Sequence, residues 1–371
     1  MNLSYWERTS WFSNIDFTII GSGIVGLNCA LELRRKHPKA RILVLEKGKL
    51  PQGASTKNAG FACFGSISEI LSDLKTHSEQ EVVQLVQDRY DGIQSLRNLL
   101  GDDAIGYENN GGHELFLEKD SILYEQCLQE IKTVNELLHP IFKNDAFKKN
   151  PNDFDFKEIN KNYISQVFEG QIDTGKMMHS LMQLAHQKGI TILNTTQVTA
   201  FEDTGEKVII KTEELEFTTK KLLIATNGFA AQLLSENIKP ARAQVLITKP
   251  IKNVSIKGTF HLEEGYYYFR NIDNRILLGG GRNLDFKTEE TTEFGTTSLV
   301  ENKLRALLKS VILPNTNFEI EYRWSGIMGV GQQKKPIVKQ LTDNVACGVR
   351  LGGMGIAIGS TIGKKLANLA A

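Results

Sequence analysis

The stretch DFTIIGSGIVGLNCALELRRKHPKARILVLE, residues 16–46, decides the fold. Its apolar opening, Phe17 to Ile20, reads as a buried parallel strand. Gly-x-Gly-x-x-Gly follows at Gly21, Gly23 and Gly26, with Ile24 and Val25 inside it. A helical pattern then runs to about Lys36 and stops at His37-Pro38. A second apolar run, Ile42 to Leu45, closes on Glu46. The whole is a βαβ unit. Gly21 permits the tight turn, Gly23 lets backbone approach a pyrophosphate, and Gly26 lets helix and strand pack closely. The helix N-terminus offers free N–H groups and the positive end of its dipole to phosphates. Glu46, about 20 residues beyond the last glycine, is placed to accept ribose hydroxyls. The motif predicts a dinucleotide site without choosing between NAD and FAD.

At 371 residues the chain has room for two domains or one large one. A net charge of +1 gives no electrostatic footprint for nucleic acid. No apolar run reaches the length of a membrane span, and the N-terminus MNLSYWERTSWFSNID lacks the apolar core of a signal peptide. Cys29, Cys63, Cys127 and Cys347 are scattered without CxxC spacing, which fits a reducing cytoplasm and argues against a disulfide framework. The seven histidines show no zinc-binding spacing, so no metal is expected. The aromatics Tyr5, Trp6, Trp11 and Phe12 ahead of the first strand are expected to pack on the core.

After Glu46 and Lys47 the chain reads GKLPQGASTKNAGFACFG. Gly53, Gly60 and Gly65, with small residues between them, suit a loop that touches a flat ligand. Ser55, Thr56 and Asn58 supply hydrogen-bonding groups, while Ala59, Phe61, Ala62, Cys63 and Phe64 are too apolar for a solvated loop. Strand, GSGIVG, helix, strand, LEKG and then GAST-KNAGF together resemble the D-amino-acid oxidase superfamily of FAD-dependent oxidoreductases, which includes glycine, sarcosine and γ-glutamylputrescine oxidases. The resemblance implies an FAD-binding Rossmann-like α/β domain of the glutathione-reductase type, with a second α+β substrate domain. It implies that Ser55 contacts phosphate and that Asn58, Gly60 and Phe61 lie near the isoalloxazine.

Residues 66–100 read as one long amphipathic helix, 114–118 as a strand, 121–138 as a helix and 143–162 as a connecting loop. His113 is expected to be a structural strand-end histidine. From Gly170 a helix at 174–188 and a strand at 190–193 lead to Thr196-Gln197-Val198. Here the resemblance implies that Val198 pairs with the adenine. A hairpin over 207–218 leads to the apolar strand and turn LLIATNG, which resembles the family's ATN-G turn and brings Thr226, Asn227 and Gly228 against the ADP half. Residues 239–325 are β-rich. Within GYYYFRNIDNRILLGGGR, alternation puts Tyr266, Tyr268 and Arg270 on one face and Tyr267 and Phe269 on the other. The resemblance implies a substrate tyrosine on this hairpin, and the sequence leaves Tyr267 and Tyr268 as alternatives. The closing stretch NVACGVRLGGMGIAIGSTIGKKLANLA is a strand, then Gly352-Gly353-Met354-Gly355, then a helix opening with Ile356. It is similar to the family's closing motif, whose helix N-terminus favours negative charge on reduced flavin.

Where amino-acid-oxidising members carry an arginine for the substrate carboxylate, this chain has Met328, which cannot form a bidentate pair. Arg270 and Arg350 are the arginines considered as substitutes. No cysteine matches the family's covalent-flavin position, so non-covalent FAD is expected. The domains expected are FAD-binding over 1–75, 165–238 and 326–371, and substrate-binding over 76–164 and 239–325. The reaction implied is oxidation of the C–N bond of a small amine or amino acid by hydride transfer to flavin N5, with oxygen or an electron carrier as acceptor. The alternatives are an FAD-dependent dehydrogenase of a hydroxy acid and a non-catalytic FAD-binding protein.

Overall fold

A computed structural model of the chain describes residues 2–333 and 335–370. Two eight-stranded sheets organise it. In the first, Ile15–Ile20 lies between two parallel neighbours, Ile42–Leu45 and Glu216–Ile224. Thr191–Leu193 extends the sheet beside Ile42–Leu45, and Val345–Val349 runs parallel to Glu216–Ile224 on the other side. Antiparallel strands complete it, with Ile337–Gln340 beyond Val345–Val349 and the Val198–Asp203 and Val208–Thr212 pair attached to Glu216–Ile224. The centre of the sheet is four parallel strands, buried over residues 17–20, 42–45, 222–224 and 345–349. Their carboxyl ends, Ile20, Leu45, Ile224 and Val349, therefore open on the same edge, where an open parallel sheet binds its ligand.

Helix packing against this sheet depends on glycine. A Cβ on Gly26 would stand 1.9 Å from the Gly21 carbonyl oxygen, so helix Ile24–Lys36 can lie against its own turn only without one. The last helix, Gly355–Ala370, crosses it at Gly363, where a Cβ would meet the Val25 carbonyl at 2.6 Å. The same helix takes Glu79–Leu100 on its other side, where a Cβ at Gly92 would fall 1.8 Å from the Ala357 carbonyl. These contacts bring both helix N-termini, at Ile24 and Gly355, to the carboxyl edge of the sheet.

The second sheet runs Ile320–Val330, Lys239–Thr248, Arg275–Gly280, Tyr267–Ile272, Thr259–Leu262, Gly112–Glu114, Asn162–Gln166 and Phe147–Pro151. One face packs Tyr267, Phe260 and Phe269, with Phe156 from the segment before Asn162–Gln166, against helix Ser298–Leu307. The opposite face carries Tyr268, Val245, Leu277 and Trp324 beside Ala59 and Phe61 of the first domain's loop. A division at the limits read from sequence would cut Asn162–Gln166 and Ile320–Val330, both continuous strands of this sheet.

Several local expectations are corrected. Residues 66–100 form two helices, Ile67–Leu74 and Glu79–Leu100, because Ser66 with Glu69 and Ser78 with Glu81 each make a reciprocal capping box. The polar segment 143–162 contains the edge strand Phe147–Pro151, whose lysines face solvent and whose proline sits at its end. The strand expected over 114–118 is instead Gly112–Glu114. Of the N-terminal aromatics, Phe12 packs on the core against Phe217, while Tyr5, Trp6 and Trp11 lie on a capped helix, Tyr5–Trp11, with no buried residue; Tyr5 is 70% and Trp6 73% exposed. Among the described residues, no helix is long and apolar enough to cross a membrane.

Candidate active site

One cavity of about 540 Å³ runs from the carboxyl edge of the first sheet to the inner face of the second. The turns following the four central parallel strands line it: Gly21 and Gly23 after Ile20, Glu46 and Lys47 after Leu45, Ala225 to Asn227 after Ile224, and Leu351 to Ile356 after Val349. The N-terminus of helix Ile24–Lys36 is capped by Gly23, which contributes no side chain. Its first donor, the Ile24 N–H, reaches Ser55 Oγ at 3.0 Å. A Cβ on Gly23 would be 2.9 Å from that hydroxyl, so backbone and Ser55 meet closely there. At the other helix N-terminus Gly352 and Gly353 adopt φ of 60° and 89°, a left-handed pair that non-glycine residues resist. Asn227 fixes this turn by accepting the Leu351 N–H at 3.1 Å.

Glu46 is buried and preorganised. Its Oε2 accepts from the Ser22 N–H at 3.1 Å and the Ser22 hydroxyl at 2.9 Å, and Oε1 accepts from the Gly48 N–H at 2.9 Å. Lys47 lies with Nζ 3.3 Å from the centroid of Phe229, and burial lowers its pKa. Val198 and Gln197 close the same end of the cavity, and the Thr226 hydroxyl is buried there without a partner. Two glycine turns at helix N-termini, a fixed carboxylate between them and an unpaired hydroxyl are the donor and acceptor set that an FAD diphosphate and ribose need. The residues fit the cofactor.

The predicted residues divide by position. Gly21, Gly23, Ile24, Val25, Glu46, Lys47, Ser55, Asn58, Ala59, Phe61, Val198, Thr226, Asn227, Gly352, Gly353, Met354, Gly355, Ile356 and Tyr268 all line the cavity. Gly26 packs under Gly21 instead. The Thr56 hydroxyl donates to the Pro51 carbonyl, and Gly60, at φ 75°, hands its carbonyl to the Ile172 N–H, so both shape the loop. Gly228 makes room for the Met328 carbonyl, 2.7 Å from where its Cβ would stand.

The hairpin gives two corrections. Tyr267 points into the second core, 1% exposed, and does not reach the cavity. Tyr268 does reach it, its ring lying over Gly279 where a Cβ would approach within 2.6 Å. Arg270 shares the Tyr268 face but is buried, donating from Nη1 to the Gly60 and Ile172 carbonyls at 3.1 and 2.6 Å. Burial lowers its pKa to about 10. It clamps the Gly60 loop to the hairpin through these two carbonyls. Arg350 likewise donates to the Lys335 and Asn237 carbonyls.

The arginine that lines the cavity is Arg282, two residues past the hairpin's Gly280, with Cζ 5.1 Å from the centroid of the Phe286 ring. It stands beside Tyr268, whose pKa burial pushes up to about 12 against the opposing pull of Arg282. Sequence reasoning missed it, and also missed Lys57, Glu69 and His261, which line the same cavity. The GGGR run marked a turn with a cation at its end. Nothing in the sequence marked Glu69, whose capping box resembles any other. Met328 lines the cavity too, with Sδ 3.4 Å from the Cβ position of Gly353.

Comparison with known proteins agrees with this geometry. The chain is 20% identical over 375 residues to the probable oxidoreductase OrdL of Haemophilus influenzae, covering 95% of this chain and 82% of that protein. It is 25% identical over 326 residues to human mitochondrial L-2-hydroxyglutarate dehydrogenase, covering 80% and 67%. Glycine oxidase from Geobacillus kaustophilus superposes with a TM-score of 0.76 at 18% identity, covering 96% and 94% of the two chains. The model of the FAD-dependent oxidoreductase family, DAO, matches residues 16–369, and the chain belongs to that family.

Proposed function

We propose that this FAD-dependent oxidoreductase oxidises the C–N bond of a small amine or amino acid. The observation that carries the reading is the single cavity that joins the FAD cradle to a polar chamber walled by Tyr268, Arg282, His261 and Glu69. When bound, FAD supplies the hydride acceptor; the protein supplies orientation and charge. The chamber is lined by a cation, Arg282, and a carboxylate, Glu69, a pair of charges complementary to an amine that also bears a carboxylate. Arg282 is the residue we assign to that carboxylate. Tyr268 would orient the substrate through its hydroxyl and close the chamber with Phe61, whose ring lies edge-on at 5.6 Å. The glycine turns, Ser55, Glu46, Val198, Thr226 and Asn227 would hold FAD, without a covalent bond. All four cysteines are buried, and burial together with Glu169 and Glu69 raises the thiol pKa of Cys63, the one at the cavity, well above its ordinary value. Four free, dispersed cysteines also support a cytoplasmic setting. The final acceptor would be oxygen or an electron carrier.

The similarity to a protein named as an L-2-hydroxyglutarate dehydrogenase favours a second reading, dehydrogenation of a 2-hydroxy acid, which Arg282 would also suit. Anaerobic reduction of the bound flavin separates them. The panel holds amino acids, their decarboxylated amines and the matching 2-hydroxy acids. Faster bleaching by the nitrogen compounds is expected. Bleaching by the hydroxy acids alone would replace the first reading with the second.

A further inference from the structure

Behind the chamber lies a group of titratable side chains that binding of FAD does not explain. Glu114, His261 and Tyr268 are direct neighbours across three adjacent strands, His261 pairing with Glu114 on one side and Tyr268 on the other. Cross-strand neighbours share a sheet face, so the row ends at the cavity. His261 is 6% exposed, lines the cavity, and packs edge-on against Phe61 at 5.2 Å. Its Nε2 is buried without a hydrogen-bond partner and lies 3.8 Å from Oε2 of Glu169.

Glu169 is built in place. Its Oε1 accepts from the Phe64 and Gly65 N–H groups at 2.8 and 3.3 Å. Its Oε2 occupies the space over Gly112, where a Cβ would come within 1.8 Å. The remaining groups around His261 are known. Glu69 faces it from helix Ile67–Leu74, and Glu114 from its own strand, accepting from the Ser68 N–H and hydroxyl. His113 adjoins it on that strand, with Nδ1 2.8 Å from the Ser165 hydroxyl. Tyr268 and Cys63 flank the cavity side, the cation Arg282 stands beside Tyr268, and Arg89 is bonded to the Phe64 carbonyl. Three carboxyl groups thus surround one imidazole. A buried histidine among carboxylates is a base whose protonated form has a ready counter-ion.

We propose that His261 is a catalytic base that takes the proton from the substrate's reacting nitrogen, and that Glu169 positions it and balances the imidazolium. This rests on the amine-oxidation reading above. One N–H bond of the substrate ammonium breaks and one N–H bond forms on the imidazole. No electrons move in this step, and the neutral amine left behind can release its α-hydrogen with the bonding pair. Burial alone would lower the His261 pKa; Glu169, then Glu69 and Glu114, raise it overall. The base works neutral, so the rate of flavin reduction falls as pH drops through that raised value.

Two measurements on the holoenzyme test this. First, the His261 ring is titrated by NMR with labelled histidine, assigned through His261→Gln. Its pKa is expected above the ordinary value of about 6.5 and lower in Glu169→Gln, which can keep the Phe64 and Gly65 bonds through its carbonyl oxygen. An ordinary value, unmoved by Glu169→Gln, overturns the proposal even if no panel compound is a substrate. Second, the pH profile of anaerobic flavin reduction is recorded with the best panel amine. The wild-type acid limb should coincide with the NMR pKa and move to lower pH in Glu169→Gln. It should vanish in His261→Gln, with the plateau rate down roughly 10²- to 10⁴-fold. An acid limb that survives unchanged in a folded, yellow His261→Gln protein assigns the base elsewhere. A panel in which nothing reduces the flavin sinks the proposed reaction, and the titration still decides whether Glu169 holds His261 as a base.

Discussion

Glu46→Gln is the sharpest perturbation of the cofactor cradle, because each protein donor to that carboxylate is identified. Oε2 takes two Ser22 donors, Oε1 takes the Gly48 N–H and, at 3.4 Å, the Gln52 N–H. Glutamine keeps the shape and replaces one oxygen with a donor. If its NH₂ faces Ser22, the hydroxyl can turn to accept but the Ser22 N–H is left facing a donor. If it faces Gly48, two backbone N–H groups are stranded. A lost charge-assisted hydrogen bond costs about 1.5–3 kcal/mol, and a stranded buried donor about 1–3 kcal/mol. The first cost falls on FAD wherever Glu46 accepts a ribose hydroxyl; the second falls on the turn itself, with or without FAD. FAD affinity should therefore fall roughly 10- to 150-fold. The apoprotein should lose about 1–3 kcal/mol of stability. Titrating apoprotein with FAD by fluorescence quenching gives the first number, and denaturant unfolding of the apoprotein gives the second. A destabilised apoprotein with an unchanged FAD dissociation constant would refute the ribose contact and leave Glu46 as a brace for Ser22 and Gly48.

Other outcomes follow from the same geometry. Tyr268→Phe should lower kcat/KM about 10-fold, the worth of one hydrogen bond to substrate, with unchanged unfolding. Tyr267→Phe should leave kinetics alone and keep or slightly raise stability, since it removes a buried hydroxyl that has no partner. Arg282→Met should raise KM for carboxylate-bearing substrates roughly 10- to 150-fold and spare the decarboxylated amines; equal loss on both would remove Arg282 from carboxylate binding. Glu114, raised to about 7 by burial against the opposing bonds from Ser68, binds its proton more tightly folded than unfolded. Stability should therefore fall as pH rises from about 4.5 to 7, by about 3 kcal/mol at most. Glu114→Gln should flatten that slope in denaturant melts run across this range.

The parallel half of the fold was legible because its signals are local. A strand buried on both faces is an apolar run, its glycine turn is forced by backbone contact, and its helix has a stop at His37-Pro38. Gly26 illustrates the point: a carbonyl 1.9 Å from the missing Cβ leaves no other residue type without a shift of the helix. The second sheet was less legible where burial, not pattern, defines a strand. Phe147–Pro151 has one buried residue at its start and otherwise reads as polar coil. The break between Ile67–Leu74 and Glu79–Leu100 was written in the capping boxes at Ser66 and Ser78, but apolar periodicity continued across it and masked it.

The substrate end shows a different limit. Alternation along one strand correctly grouped Tyr266, Tyr268 and Arg270 on a face, yet a shared face does not mean a shared cavity. Arg270 lies far enough along the strand to meet the Gly60 and Ile172 carbonyls, and two good acceptors hold a guanidinium away from solvent. Arg282 leaves the sheet after Gly281, whose φ of 83° turns the chain back toward Tyr268. That reversal is a three-dimensional fact that no spacing rule contains. Met328 leaves that position without a cation, while Arg282 brings one to the cavity from beyond the hairpin. Under the proposed reading, selectivity for a carboxylate would depend on the distance between Arg282 and the carboxylates around His261, a separation set by the two strands, Thr259–Leu262 and Tyr267–Ile272, that lie between Gly112–Glu114 and Arg275–Gly280.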